Sequence, residues 1–301
     1  MSNRNGKRWG IDIGGTTTII GYLKPGGFEK VKSLNTDPSS GPDSLIRKIG
    51  KVVSETGGTP LCAGAGIAGL VNRNDGLLIS SPNLSGWRNY PLREKLSDIL
   101  KCPVVIDNDC NVFALQAIES SCIPPEGLWL MITVGTGIGG TIVQDGTIVY
   151  GTGYAGEFGH MTVEASGKKC PCGSRGCWER YASSAAVIDY YNKHTNESTH
   201  RTPKEIFDLA AMNKVAALKA YEEFGIWLGI GLASLYRCLS PAGVYLAGGL
   251  MGSSKFFLEH AESEFHRRCA SEWNVNVLPS SSDAGAEGAA IMGRDRKCMR
   301  G

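Results

Sequence analysis

Apolar positions along the chain fall into two kinds of pattern. Short apolar or β-branched runs that close on glycine or a turn predict strands at Trp9 to Ile13, Thr16 to Leu23, Leu61 to Ile67, Pro103 to Ile106, Leu128 to Val134, Ile138 to Val143 and Gly243 to Ala247. Apolar residues at helical spacing predict helices at Ser44 to Ser54, Tyr90 to Leu100, Asn111 to Glu119, Thr202 to Ala211, Lys214 to Leu239 and Ala284 to Met292, with Ser44 reading as a cap. Gly225, Gly229 and Gly231 weaken the long helix, so a closely packed neighbour is expected there. Strands alternating with helices indicate an α/β fold. Strand, Gly/Thr turn and returning strand occur twice, at Trp9 to Leu23 and at Leu128 to Val143. Two related halves, or two unrelated hairpins, would give this pattern.

The 301 residues suit one large domain or two medium ones. A net charge of +2 without a basic block argues against nucleic acid as a partner. The mildly basic ends, Asn3 to Arg8 and Arg294 to Arg300, read as solvated tails. No secretory signal and no run long enough to span a membrane is visible, so a cytoplasmic protein is expected. The ten cysteines are scattered apart from one cluster, which fits a reducing compartment and a single metal site.

That cluster is Cys170-Pro171-Cys172-Gly173-Ser174-Arg175-Gly176-Cys177, with His160 ten residues before it. Three thiolates and an imidazole form a closed tetrahedral zinc set, so a structural ion is expected; a disulfide or unliganded thiols are the alternative. Asp12-Ile13-Gly14-Gly15-Thr16-Thr17-Thr18 places an acid at a strand end, then glycines that let N–H groups reach phosphate oxygens, then hydroxyl donors. Asp12 could hold Mg²⁺ directly or through water. Gly135-Thr136-Gly137-Ile138-Gly139-Gly140 offers a second cradle. No Walker-type segment is present, and a glycine-rich turn between two strands is the wrong setting for a dinucleotide fold. Asp107-Asn108-Asp109 follows a strand, where α/β folds place ligands, and either aspartate could accept a hydroxyl proton. A turn that merely caps the next helix is the other reading.

Together these segments resemble the ROK family of sugar kinases and repressors. The resemblance runs over nearly the whole chain. It rests most on Glu157-Phe158-Gly159-His160 with Cys-x-Cys-Gly-x-x-Gly-Cys-x-Glu at Cys170 to Glu179. It implies an actin-like ATPase fold of two ribonuclease-H-like lobes with sugar and ATP in the cleft. The expected lobes are a small one at 1–111, joined by a C-terminal helix at about 284–301, and a large one at 112–283 carrying the zinc loop.

The resemblance implies Asp109 as catalytic base and Asn83, Asn108, Asp109, Glu157, His160 and Glu179 as sugar contacts. It implies that Gly14, Gly15, Thr16, Thr17, Thr136 and Gly137 hold phosphates, beside Asp12 as the magnesium candidate, and that Gly248 and Gly249 lie near the adenosine. His160, Cys170, Cys172 and Cys177 would bind zinc, His160 reaching the sugar with its second nitrogen. Ala68, Cys110 and Thr141 depart from the family's usual residues without removing a reactive group. The expected activity is ATP-dependent phosphorylation of a hexose, with glucose as acceptor and N-acetylmannosamine, N-acetylglucosamine or fructose as alternatives. Selectivity is expected from Ala68 to Asn72 and Ser85 to Arg88, and a homodimer or higher homo-oligomer is expected. The family's repressors carry a helix-turn-helix domain before the first strand; eleven residues precede Asp12 here, which favours a kinase.

Overall fold

The computed structural model describes residues 6–81, 83–84, 86–195, 201–279 and 281–294. Ser85, Cys298 and the greater part of both basic tails lie outside the described residues. Contacts divide the chain into two compact units: residues 1–125 with 150–154 and 281–301, and residues 126–149 with 155–280.

The first unit contains β1 (Lys7–Ile13), β2 (Thr17–Lys24), β3 (Gly27–Asn35), α1 (Pro42–Thr56), β4 (Pro60–Ile67), β5 (Leu70–Asn72), β6 (Leu77–Ser80), β7 (Arg88–Tyr90), α2 (Leu92–Leu100), β8 (Val104–Asn108), α3 (Asp109–Glu119) and a C-terminal helix, Ala284–Gly293. Its main sheet has the order β3-β2-β1-β4-β8, while β5, β6 and β7 form a small second sheet. Strand β1 runs antiparallel to β2 and parallel to β4, and β4 runs parallel to β8.

Alternation along β1 separates two faces. Trp9, Ile11 and Ile13 are fully buried in one core with Leu45 and Ile49 of α1 and Leu92 and Leu96 of α2. Gly10 and Asp12 face the C-terminal helix. On β4, Ala63, Ala65 and Ile67 join the same core, while Gly64 and Gly66 lie under Ala289 and Val112. A Cβ on Gly10 or Gly64 would strike the carbonyl of Ala286 or Ala289, so these two glycines set how closely the helix lies on the sheet.

Three expectations change. The first unit extends to Pro125 rather than residue 111, because α3 packs on the C-terminal helix, with Val112, Ala289 and Met292 sharing a small core. Ser44 is not a cap: Pro42 opens α1 behind Gly41, since proline's fixed φ suits the first helical turn. Tyr90 ends β7, and α2 begins after Pro91.

The second unit contains β9 (Leu128–Val134), β10 (Ile138–Gln144), β11 (Thr147–Val149), α4 (Ser184–Thr195), α5 (Pro203–Ala211), α6 (Val215–Leu239), β12 (Gly243–Ala247), α7 (Leu258–Arg268) and β13 (Val275–Val277). Its sheet has the order β11-β10-β9-β12-β13. The senses match those of the first unit, with two antiparallel pairs followed by two parallel pairs. The repeated hairpin therefore begins a repeated sheet, which selects two related halves.

Leu130, Ile132 and Val134 pack against Leu228 and Leu232 of α6. The three helical glycines have the close neighbours expected: Gly225 and Gly229 lie against the carbonyls of Phe257 and Ala261, and Gly231 against the Trp178 ring. Among the described residues no helix is long and apolar enough to cross a membrane.

Alanine at residue 231 would gain about 1 kcal/mol of helix propensity. It would also force a methyl into the fully buried Trp178 ring, and overpacking costs roughly 1–3 kcal/mol. Gly231→Ala is therefore expected to lower the melting temperature; a rise in a thermal scan would contradict this packing.

Candidate active site

In the first unit the β1–β2 turn is held by Gly14 N–H donating to the Thr17 carbonyl at 3.0 Å and Thr36 N–H donating to that of Thr16 at 2.8 Å. Of the three hydroxyls, the buried Thr18 is committed to Thr36 at 2.7 Å, while Thr16 and Thr17 are exposed. Gly15 lies against Asn83: a Cβ there would come within 2.8 Å of the Asn83 Cβ. The turn, its two exposed hydroxyls and Asn83 thus form one surface.

The structure gives the two candidate aspartates different surroundings. Asp107 is 1% exposed. Its Oδ1 accepts the Asn108 N–H at 2.7 Å and the Asn111 amide at 2.9 Å, and its Oδ2 accepts the Tyr150 hydroxyl at 3.0 Å. Arg73 Nε lies 2.9 Å from Oδ2 without its N–H aimed there, so that contact is an ion pair; the guanidinium stacks on Tyr150 at 3.9 Å. Burial raises the Asp107 carboxyl against the pull of Arg73 and of its hydrogen bonds. This carboxylate holds the strand-to-helix junction together.

Asp109 opens α3 and remains partly exposed. Its Oδ1 accepts the Cys110 N–H at 3.0 Å. Asn108 is the N-cap, accepting the same N–H at 2.8 Å and donating to the Gly69 carbonyl at 3.0 Å, so much of its amide is structural. Burial raises the Asp109 carboxyl above its ordinary range. Asp12 is pushed up to about 7, by burial first and then by the charge of Asp109. Two carboxylates therefore share one region beside the glycine turn, and a hard divalent cation would relieve their repulsion with the oxygen ligands it prefers.

In the second unit the β9–β10 turn closes through Gly135 N–H donating to the Gly137 carbonyl at 2.9 Å. Ser184, at the start of α4, donates its N–H at 2.8 Å and its hydroxyl at 2.7 Å to the Gly135 carbonyl. Ser184, Arg73 and Tyr150 belong to no motif in the sequence; a serine opening an apolar run is the one signal there for Ser184. A Cβ on Gly137 would lie 2.7 Å from Glu179 Oε2. Gly248, with φ 103° against Val134, needs the left-handed region that glycine tolerates, and Gly249 follows at the end of β12.

The ligand atoms of His160, Cys170, Cys172 and Cys177 all lie within 4.8 Å of one another. Cys172 and Cys177 sulfurs are 3.6 Å apart, and Cys170 Sγ is 3.9 Å from His160 Nδ1. A disulfide would measure about 2.05 Å. Tetrahedral corners around a metal with sulfur at about 2.3 Å stand roughly 3.7 Å apart. The donor set fits a thiophilic tetrahedral ion and not a disulfide.

Gly173 and Gly176, at φ 96° and 69°, bend the loop so that Cys177 returns to the cluster. Nδ1 of His160 faces the thiols, while Nε2 lies 3.9 Å from Glu157 Oε2. Glu179 Oε1 is 3.8 Å from Nδ1 and 3.4 Å from Cys170 Sγ. Glu157 thus lies on the Nε2 side of the imidazole, and Glu179 on the Nδ1 side with the thiols.

The ROK family profile matches residues 8–296. A glucokinase of Streptomyces coelicolor is 31% identical, over 95% of this chain and 97% of its own. A ROK family glucokinase from Streptomyces griseus, solved in complex with glucose and AMPPNP, matches with a TM-score of 0.83 at 28% identity, covering 96% of this chain and 99% of that one. A xylose repressor of Bacillus subtilis is 28% identical over 93% of this chain and 74% of its own length. The fold is that of the actin-like ATPases, with its two duplicated halves.

Replacement of Cys172 by serine is expected to abolish metal retention and lower the melting temperature, because binding energy in such a loop is folding energy. Elemental analysis with a thermal scan checks this; a melting curve identical to wild type would contradict a structural ion.

Proposed function

The chain belongs to the ROK family, and on that footing we propose that it is an ATP-dependent hexose kinase with glucose as its preferred acceptor. The observation that carries the reading is the division of labour between the two aspartates. Asp107 is consumed by structure, whereas Asp109 stays partly exposed and within electrostatic reach of Asp12. Transfer of a phosphoryl group to an alcohol needs one carboxylate to take the hydroxyl proton and another near the phosphates. A sugar-sensing regulator would need a sugar site but no proton acceptor, so the pair favours the kinase.

Asp109 accepts the proton of the sugar 6-hydroxyl as that oxygen bonds to the γ-phosphorus of ATP, while the bond from that phosphorus to the bridging oxygen breaks and ADP leaves with the electron pair. The raised affinity of Asp109 for protons, caused by burial, makes it a stronger base than a solvated carboxylate. The Gly14 N–H is spent on closing its turn, so Gly14 shapes the cradle, while N–H groups and hydroxyls at Gly15 to Thr17, and at Thr136 and Gly137, donate to the phosphate oxygens. A magnesium ion held at Asp12 would offset charge on those oxygens. Asn83, Asn108, Glu157, His160 and Glu179 hold sugar hydroxyls, and Gly248 and Gly249 leave room for the adenosine. Zinc in the Cys170–Cys177 loop would fix His160 through Nδ1, leaving Nε2 for the sugar.

With Mg-ATP and a panel of glucose, fructose, N-acetylglucosamine and N-acetylmannosamine, ADP release is expected to give the highest kcat/KM with glucose; polyphosphate serves as a second donor arm. Absence of turnover with every sugar would contradict the reading. Asp109→Asn is expected to lower kcat by about two decades or more while leaving the sugar Kd within a few-fold, since the proton acceptor is lost but the hydroxyl contacts remain. Wild-type turnover would reject Asp109 as base.

A further inference from the structure

We infer that Gly285 is a positioning residue: the missing side chain there lets the Asp12 carboxylate keep its place beside Asp109, and so sustains affinity for the magnesium nucleotide. This rests on the role proposed above for Asp12. The C-terminal helix, here α8 (Ala284–Gly293), lies on the sheet at a distance set by Gly10 and Gly64. Further contacts seat it there. Gly293 fits against the Gly64 nitrogen, Gly288 lies on the Val112 carbonyl, and Lys30 pairs with Asp283 at 2.8 Å.

At its N-terminal end α8 meets Asp12, the next residue after Gly10 on the same face of β1. A Cβ at residue 285 would lie 2.5 Å from Oδ2, 2.8 Å from Cγ and 3.3 Å from Oδ1. The whole carboxylate therefore occupies the space a methyl would take. Nor can the strand yield, since Asp12 is paired with Ile19 on one side and Gly66 on the other. The backbone does not demand glycine: Gly285 is absent from the positive-φ residues, and alanine would favour the helix. What demands glycine is the acid opposite. An alanine would make the carboxylate turn away from its present place.

A double-mutant cycle read by calorimetric binding of Mg·AMPPNP, with melting temperatures, tests this. Gly285→Ala is expected to weaken nucleotide binding by about tenfold or more, as small misplacements of binding groups do. Glucose affinity should be retained. Asp12→Ala should weaken nucleotide binding to a similar degree. Adding Gly285→Ala to Asp12→Ala should cost nothing further, because the new methyl then has room. The double variant should also fold even if Gly285→Ala alone does not.

Wild-type affinity in Gly285→Ala, with a loss in Asp12→Ala, would overturn the inference and leave the role of Asp12 standing. Additive losses, or a double variant that fails to fold, would make residue 285 a packing position and also overturn it. Unchanged binding in Asp12→Ala would remove the role assigned to Asp12 itself.

Discussion

Two carboxylates within electrostatic reach of each other are the constraint on which the chemistry proposed for the first unit depends. Asp12 lies near the end of β1 and Asp109 opens the helix that follows β8, and the charge of one raises the other. Left alone, such a pair costs stability. In the proposed reaction one member takes a proton and the other faces a cation. The surroundings are built to keep both in place. Asp107 ties the β8–α3 junction to Arg73, Tyr150 and Asn111, and the C-terminal helix comes down on glycines until it meets Asp12.

The second unit repeats the sheet but not the acids. Its glycine turn occupies the same topological position, between the first two strands of an identical strand order. It is braced by Ser184 and lies against Glu179. In place of an acid pair this unit carries the Cys/His cluster, whose geometry turns one face of His160 inward and leaves the other beside Glu157. One duplicated scaffold thus carries two different clusters, a carboxylate pair and a set of three thiols with an imidazole.

Much of this was legible in the sequence, because strands that end in glycine announce themselves and the cysteine spacing is distinctive. The seven strands and six helices inferred from pattern all exist, though several bounds move. What escaped notice had physical reasons. Strand β3, with Glu29, Lys30 and Lys32, is a charged edge strand whose partner β2 supplies its order. Helix α7 lies over Gly225 and Gly229, and its polar composition hides its buried stripe of Ala261, Glu264 and Phe265. Spacing could not choose between Asp107 and Asp109, since the choice depends on Arg73 and Tyr150, which are distant in sequence. The meaning of Gly285 depends on Gly10 and Gly64, in other segments altogether.

The central claim is that Asp109, kept basic by burial, takes the proton. The pH dependence of kcat/KM for the sugar tests it most directly, because that profile reports the ionisation of groups in the free enzyme. Burial predicts an acid limb whose midpoint lies clearly above the ordinary aspartate value of about 3.9. A rate that stays level down to about pH 4 would contradict it.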